Sequence, residues 1–440
     1  MTSLTITPGR PLRGTTTVPG DKSLTHRAII LTALAEGTST VSGYCQGEDC
    51  LNTMRAFQAL GIPIRQTPTE LAVHGKGFWG LSEPNAPIDC GNSGTGIRLL
   101  TGLLSGQDFF SVLTGDESIR RRPMGRVVKP LREMGAVIGG RKGGELAPLA
   151  ITGSGLRGIE YTSAVASAQI KSSLLLAGLF AQGKTRYREP SLSRDHTERM
   201  FQFFGIPLTR EEGGLVLQGR PSIGWRGVQI TIPGDFSAAA FFIVGATIVQ
   251  GSDIVIRNVG MNPTRTGLIE VMRKMGADIQ VLGQREEAGE PVGDLRVRSA
   301  PLKGVTIGPD LIPKTIDEFP VLCVAAAVAD GDTVISGAEE LRVKESDRIA
   351  TMSGELKAMG ALIEERPDGM IIKGLGRSRE NGRLKAASNA QSHGDHRVAM
   401  SLAIGGLTAE QHMSIADTGC VDTSFPNFEG SLAQLLAGSV

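Results

Sequence analysis

Val18-Pro19-Gly20-Asp21-Lys22-Ser23-Leu24-Thr25-His26-Arg27-Ala28-Ile29-Ile30-Leu31-Thr32-Ala33-Leu34-Ala35-Glu36-Gly37 reads as a turn, a cap, an apolar helix and a stop. Pro-Gly makes the turn, Asp21 can accept from the helix's first N–H groups, and Gly37 ends the run. The pattern recurs. Further helices open at Ser93-Gly94-Thr95, Ser167-Ala168-Gln169, Asp235-Phe236-Ser237, Asp317-Glu318 and Asp395-His396-Arg397. Four of these end at Gly106, Gly183, Gly251 and Gly331, and the sixth helix of the series is read through Ile404-Gly405-Gly406 to Glu410. A second helix follows each and closes at Leu60-Gly61-Ile62, Met134-Gly135-Ala136, Phe204-Gly205-Ile206, Met275-Gly276-Ala277, Met359-Gly360-Ala361 and a worn Leu436-Ala437-Gly438. The period is about 70–84 residues, and a repeat of this length fixes architecture before any motif is considered.

Each repeat reads strand, helix, strand, helix and a closing strand pair, an α/β pattern. In the first, Leu4–Thr7 and Thr15–Val18 are the expected strands, and Leu24, Ala28, Leu31 and Leu34 or Ala35 share one helix face. A lone βαβαββ repeat cannot bury its apolar faces, so the six are expected to pack as two groups of three. The doubled tetrapeptide Val18-Pro19-Gly20-Asp21 and Ile232-Pro233-Gly234-Asp235 marks the crossings. One lobe is then 21–234, the other combines 1–20 with 235–440, and hinges fall at 18–21 and 232–235. Gly283–Asp294, charged and rich in Gly and Pro, is expected to be a surface loop of the fourth repeat.

Composition narrows the function. The 440 residues are 40% hydrophobic, ample for two cores. A net charge of +1 and 4% aromatic residues argue against nucleic acid as a partner. The five cysteines follow no zinc spacing, so free thiols and no metal are expected. Met1–Thr7 lacks a signal-peptide pattern, and the longest apolar run, around Ala238–Val249, is interrupted by Gly245. A cytoplasmic, monomeric protein with no membrane partner is the expectation.

Helix starts attract anions, because their N–H groups are unpaired and carry partial positive charge. By itself an Asp or Ser there is a cap, and a basic cluster is a solvated surface. What stands out is cations at the starts, against the dipole preference. Lys22, Ser23 and Arg27 occupy the first turns of the first helix. Asn92-Ser93-Gly94-Thr95-Gly96-Ile97-Arg98 combines glycines, which allow close backbone approach, with Arg98. Arg120-Arg121-Arg122-Pro123 is expected to lead into a helix whose first turn holds Pro123, with Arg122 the favoured anion ligand. Lys344-Glu345-Ser346-Asp347-Arg348 is read as a helix start with residues one turn apart, and Asp317 as a cap that could also take a proton from an alcohol. Such an array suits small, multiply charged anions.

Lys22-Ser23-x-x-x-Arg27, Gly91–Arg98, Arg122-Pro123, Arg342–Arg348, Asp395-His396-Arg397 and Thr423-Ser424-Phe425-Pro426 together resemble the 5-enolpyruvylshikimate-3-phosphate synthase family, in order and spacing over the whole chain. Ser167-Ala168-Gln169 and Ser193-Arg194-Asp195-His196-Thr197-Glu198 are more similar to its second bacterial class, noted for glyphosate tolerance. The resemblance implies a two-lobed inside-out α/β barrel, each lobe three βαβαββ units. It implies transfer of the enolpyruvyl group of phosphoenolpyruvate to the 5-hydroxyl of shikimate 3-phosphate, without cofactor, and glyphosate as an inhibitor. Carried over by position, Lys22, Ser23, Arg27, Ser167, Ala168, Gln169, Ser193, Asp317 and Lys344 hold shikimate 3-phosphate. Lys22, Gly94, Arg122, Gln169, Arg348 and Arg397 hold phosphoenolpyruvate. Asp317 is the base for the 5-hydroxyl, Glu345 delivers the proton to the methylene carbon, and Lys22 is the third catalytic residue, the division of proton steps among the three being left open by the sequence. The sister enzyme acting on UDP-N-acetylglucosamine is the alternative, but it resembles Lys-Asn at the first helix and has a Cys that Gly115–Pro123 lacks. Three positions depart from the family pattern. Thr423 stands where a Lys is frequent, leaving a phosphate contact to be supplied elsewhere, as by Arg194. Leu99 replaces a frequent Pro, and Gly94 stands where tolerant members often carry Ala.

Overall fold

A computed structural model describes residues 2–220, 224–376 and 383–438. Its strands form six sheets, one per repeat. The second repeat shows the rule. Ile88–Asp89 runs parallel to Phe110–Thr114 through the crossover helix Gly94–Ser105. The helix Gly125–Glu133 follows, then the hairpin of Val137–Arg141 and Leu146–Thr152, whose second strand pairs antiparallel with Phe110–Thr114. Five sheets have four strands in this order, and the sixth has three.

The first repeat corrects the expectation for the N-terminal strands. Its parallel strand is Gln229–Thr231, paired with Glu36–Ser42, and neither segment before Pro19 contributes. Arg13–Thr16 instead lies parallel to Asp253–Gly260 in the fourth repeat's sheet, and Ser3–Ile6 closes the sixth repeat's sheet against Met413–Ala416. The chain packs as two compact units, one of Met1–Pro19, Pro233–Arg285 and Pro291–Val440, the other of Gly20–Ile232 with Glu286–Glu290. Each has its own hydrophobic core.

The capped helices are not amphipathic surface helices. All residues of Phe236–Ile248 and of Phe319–Val328 are buried, and Lys22–Ala33 is buried on every side from Leu24 onward, wider than the single face expected. Helices apolar all round belong inside a core, so in each unit they sit beneath the sheets. Close packing sets particular residues: a Cβ on Gly102 would stand 2.1 Å from Ser173 O on the neighbouring Ala168–Phe180 helix. No helix among the described residues is long and apolar enough to cross a membrane.

Gly283–Asp294 is not a loop. It forms the ends of two strands, Asp278–Glu287 and Glu290–Arg298, joined at Ala288-Gly289. Both turn residues have positive φ, 51° and 79°, the backbone that tight hairpins require. Composition hid the alternation that buries Glu290, Val292, Leu295 and Val297. The hairpin tip packs with the Gly20–Ile232 unit, where Glu290 Oε1 lies 2.7 Å from His196 Nδ1 and Arg199 donates to Gly289 O.

Candidate active site

In the Gly20–Ile232 unit, the first helix is capped as its sequence predicts: the Asp21 carboxylate accepts from Leu24 N. Lys22 and Ser23, ahead of the buried stretch, keep partly exposed side chains. The Lys22 ammonium is 2.9 Å from Asp49 Oδ2, a partner the sequence reading missed. Arg27 is 5% exposed, and its guanidinium donates to Ser23 O, Thr197 Oγ1 and Ser172 Oγ. Burial lowers its pKa to about 10, with Glu198 and Asp21 opposing and the nearby Arg194 adding to the shift, so it stays charged at neutral pH. Between Lys22 and Arg27 sits His26, fully buried, held down to about 3 by burial and by those two cations.

The second helix brings three loops together. Ser93 caps it by accepting from Gly96 N. Arg98 donates to Gly94 O, to Gln169 Oε1 at 2.9 Å and to Pro123 O at 3.0 Å. Gln169 in turn donates to Thr95 Oγ1. Arg122, 7% exposed, is aimed by Asn92 Oδ1 at 2.9 Å and Ser118 Oγ at 3.2 Å. A methyl group on Gly94 would meet the ends of both Arg98 and Arg122 at 2.9 Å. Pro123 does not lie in a helix as expected. The helix begins at Gly125, and Arg122 ends a short 3-10 turn in extended backbone. Ser167 caps its helix through Ile170 N at 3.4 Å, and Ala168 is that helix's first residue. The Ser193 hydroxyl donates to Glu189 Oε2 at 2.6 Å, so donating to a ligand requires its rotation.

The other unit gathers the remaining residues around one guanidinium. Arg348, 1% exposed, contacts Asp395 Oδ2 at 2.9 Å, Glu345 Oε2 at 2.6 Å and Asp317 Oδ1 at 3.4 Å. Burial opposes its charge, but Asp395, Glu345 and Asp317 outweigh that and push its pKa up. Asp395 is wholly buried, caps its helix at Arg397 N and accepts from Ser346 Oγ. Arg397 reaches Asp317 through its carbonyl at 2.9 Å and its carboxylate at 3.6 Å. Lys344 is half-buried; burial lowers its pKa, and Asp317 pulls the other way.

Two expectations change here. Asp317 is not a cap: the helix starts at Phe319, and the carboxylate turns to Arg348 and Arg397. Glu345 and Arg348 do not pair along a helix, because the helix begins at Arg348 with Asp347 as its cap. Glu345 lies in the loop before it, where its side chain remains 18% exposed and that of Asp317 17%. Two carboxylates thus share one buried cation while each keeps an open side. Thr423, in place of the frequent Lys, donates its hydroxyl to Cys420 O.

Two capped-helix cores, six sheets of this order and cationic helix starts with paired carboxylates define a two-domain enolpyruvyltransferase. The model of the EPSP synthase (3-phosphoshikimate 1-carboxyvinyltransferase) family matches residues 6–432, and the chain belongs to that family. A 3-phosphoshikimate 1-carboxyvinyltransferase of Geobacter metallireducens is 53% identical, covering 99% of this chain and 100% of that one. One from Geobacter sulfurreducens is 54% identical over 98% and 99%. The solved EPSP synthase of Acinetobacter baumannii superposes with a TM-score of 0.87 at 46% identity, covering 99% of this chain and 98% of that one.

Proposed function

We propose that this chain transfers the enolpyruvyl group of phosphoenolpyruvate to the 5-hydroxyl of shikimate 3-phosphate and releases phosphate. The observation that carries the reading is the pair Asp317 and Glu345 on Arg348. Addition to an enol removes one proton from oxygen and puts one on carbon, and loss of phosphate reverses the carbon step. Two carboxyl groups in different surroundings can divide that work. Asp317, braced by Arg348 and Arg397, takes the 5-hydroxyl proton. Glu345, held by Arg348 from the loop before its helix, serves the methylene carbon together with Lys22. Arg122, Arg348, Arg397, Lys22, Gln169 and the Gly94 backbone hold phosphoenolpyruvate. Ser23, Arg27, Ser167, Ala168, Gln169, Ser193, Lys22 and Lys344 hold shikimate 3-phosphate, with Arg194, close enough to shift the Arg27 pKa, supplying charge that Thr423 does not. The residues 21–234 thus serve mainly the acceptor, and 1–20 with 235–440 the catalytic carboxylates.

The deciding assay is phosphate release from phosphoenolpyruvate with shikimate 3-phosphate against UDP-N-acetylglucosamine. Release is expected only with the first; turnover confined to the second would overturn the assignment.

Glyphosate, a small anion, is proposed to compete for the phosphoenolpyruvate site, for which Gly94 leaves room. In Gly94→Ala the methyl must displace two guanidinium ends that stand 2.9 Å away. The expected result is a glyphosate inhibition constant raised by about tenfold or more, with a rise in KM for phosphoenolpyruvate as well. Equal inhibition constants for both proteins would sink the idea.

A further inference from the structure

Lys171 stands in the apolar helix Ala168–Phe180 with none of its side chain exposed. A buried ammonium is costly unless every donor is satisfied. Here the ammonium donates to Glu189 Oε1 at 3.0 Å and Ser193 O at 3.2 Å, and forms an ion pair with Glu198 Oε1 at 2.7 Å. They come from three places: the residue just after the strand Lys184–Arg188, the loop that follows, and the helix His196–Phe203. Glu189 passes the hold on, accepting from Ser193 N at 2.9 Å and from its hydroxyl.

The neighbouring residue on each helix, Ser172 after Lys171 and Thr197 before Glu198, repeats the bridge. Ser172 Oγ and Thr197 Oγ1 are 2.6 Å apart, and both accept from Arg27, which donates through Nη2 at 2.6 Å and Nε at 2.7 Å. Lys171-Ser172 and Thr197-Glu198 therefore form two adjacent rungs, one ionic and one of hydroxyls, and the second rung sets the direction of the Arg27 guanidinium. The charges balance in kind: Arg27 and Lys171 against Glu189 and Glu198. Burial raises the Glu198 pKa, and the Lys171 ammonium opposes that rise.

We propose that Lys171 is a positioning residue for shikimate 3-phosphate: it touches no substrate, but fixes the rungs that aim Arg27 and anchor the segment Glu189–Arg194. This rests on the reading that Arg27 and Ser193 hold that substrate. Losing the ammonium leaves two buried carboxylates facing each other, which separates the helices, and Arg27 loses its aim. The phosphoenolpyruvate ligand Arg122 is aimed instead by Asn92 and Ser118.

The test uses the full chain with Lys171→Met, and with Lys171→Met combined with Glu198→Gln, which leaves Arg27 and Glu189 in balance and protects folding. KM is measured separately for each substrate, alongside kcat and Tm. The expected result is a KM for shikimate 3-phosphate raised by about tenfold, with KM for phosphoenolpyruvate changed less than about twofold. A purely structural lysine would lower kcat through the active fraction and leave both KM values alone. That outcome in the folded double variant, or a parallel rise in both KM values, would overturn the proposal. Arg27→Ala separates the premises. An unchanged KM for shikimate 3-phosphate there would overturn the substrate reading itself. A raised value there, with a normal one in the double variant, would overturn the role of Lys171 alone.

Discussion

His26 shows how a residue away from the chemistry is set by the residues that perform it. Its imidazole is buried between Lys22 and Arg27, with Nδ1 2.8 Å from Thr53 Oγ1 and Nε2 3.4 Å from Ser93 Oγ. Burial first, and the two cations second, hold its pKa near 3 against a usual 6.5. The folded protein therefore refuses a proton that the unfolded chain accepts. The resulting stability is complete above about pH 6.5 and drains away as pH falls toward 3, by on the order of 1 kcal/mol per pH unit. Denaturant titrations at pH 7 and pH 5 should show the wild type losing about 2 kcal/mol more than His26→Gln, which cannot titrate. Parallel losses would mean that His26 takes up its proton in the fold. At this scale the sequence was most legible where a cap was involved: Asp21, Ser93, Asp235 and Asp395 all accept from their helix as expected. It was blind to distant partners. Nothing local marks Asp49 as the mate of Lys22, 27 residues on, or Asn92 as the brace of Arg122. Lys171 did leave a signal, a lone lysine within an apolar helix, but its partners could not be read.

Elements were legible where periodicity and stop signals agreed, and misread where composition was used instead. Five of the six helices appear because each joins a side-chain cap, an apolar run and a break; the sixth, Phe319–Val328, forms on its apolar run without the cap expected of Asp317. Their burial on all sides was understated, since a one-face count misses His26 and Arg27, polar residues buried among apolar ones. The segment Lys344–Arg348 looked helical from its i, i+3 charges. With Asp347 as its cap at Ala350 N, the helix starts only at Arg348, and this frees Glu345 to meet Arg348 from a loop. The same shift accounts for the partial exposure of Glu345, which a residue locked into a salt-bridged helix turn would not need. The charged stretch near Ala288 was misjudged for the opposite reason. Four of its five charged residues, Arg285, Glu286, Glu287 and Asp294, keep some exposure, while Val292, Leu295 and Val297 turn inward. Glu290 breaks that pattern: an inward acid, whose purpose is visible only once His196 is placed beside it.

The strand assignments make each unit of the molecule self-contained. Gln229–Thr231, the last strand before Ile232, closes the sheet begun by Glu36–Ser42, so every strand of three sheets lies within Gly20–Ile232. Likewise Ser3–Ile6 and Arg13–Thr16 complete sheets of the other unit. The repeat count foretold two groups of three, but pairing the opening strands with the first repeat was a natural error: sequence order is linear, and each group of three closes on itself. Among the described residues, the tip Glu286–Glu290 is the segment from elsewhere in the chain that joins the Gly20–Ile232 unit. Two outcomes follow. The fragment 20–232 should fold alone, with a cooperative melt, because its core and its ladders are complete. Its stability should fall short by about what the tip contributes, on the order of 1–3 kcal/mol for a buried, hydrogen-bonded acid. Glu290→Ala in the full chain should lower the stability of the same unit by a similar amount, read by exchange protection of the His196–Phe203 helix. A fragment that melts without cooperativity would refute the self-contained unit. Unaltered protection in Glu290→Ala would instead assign the tip no part in holding the helix that carries Thr197 and Glu198.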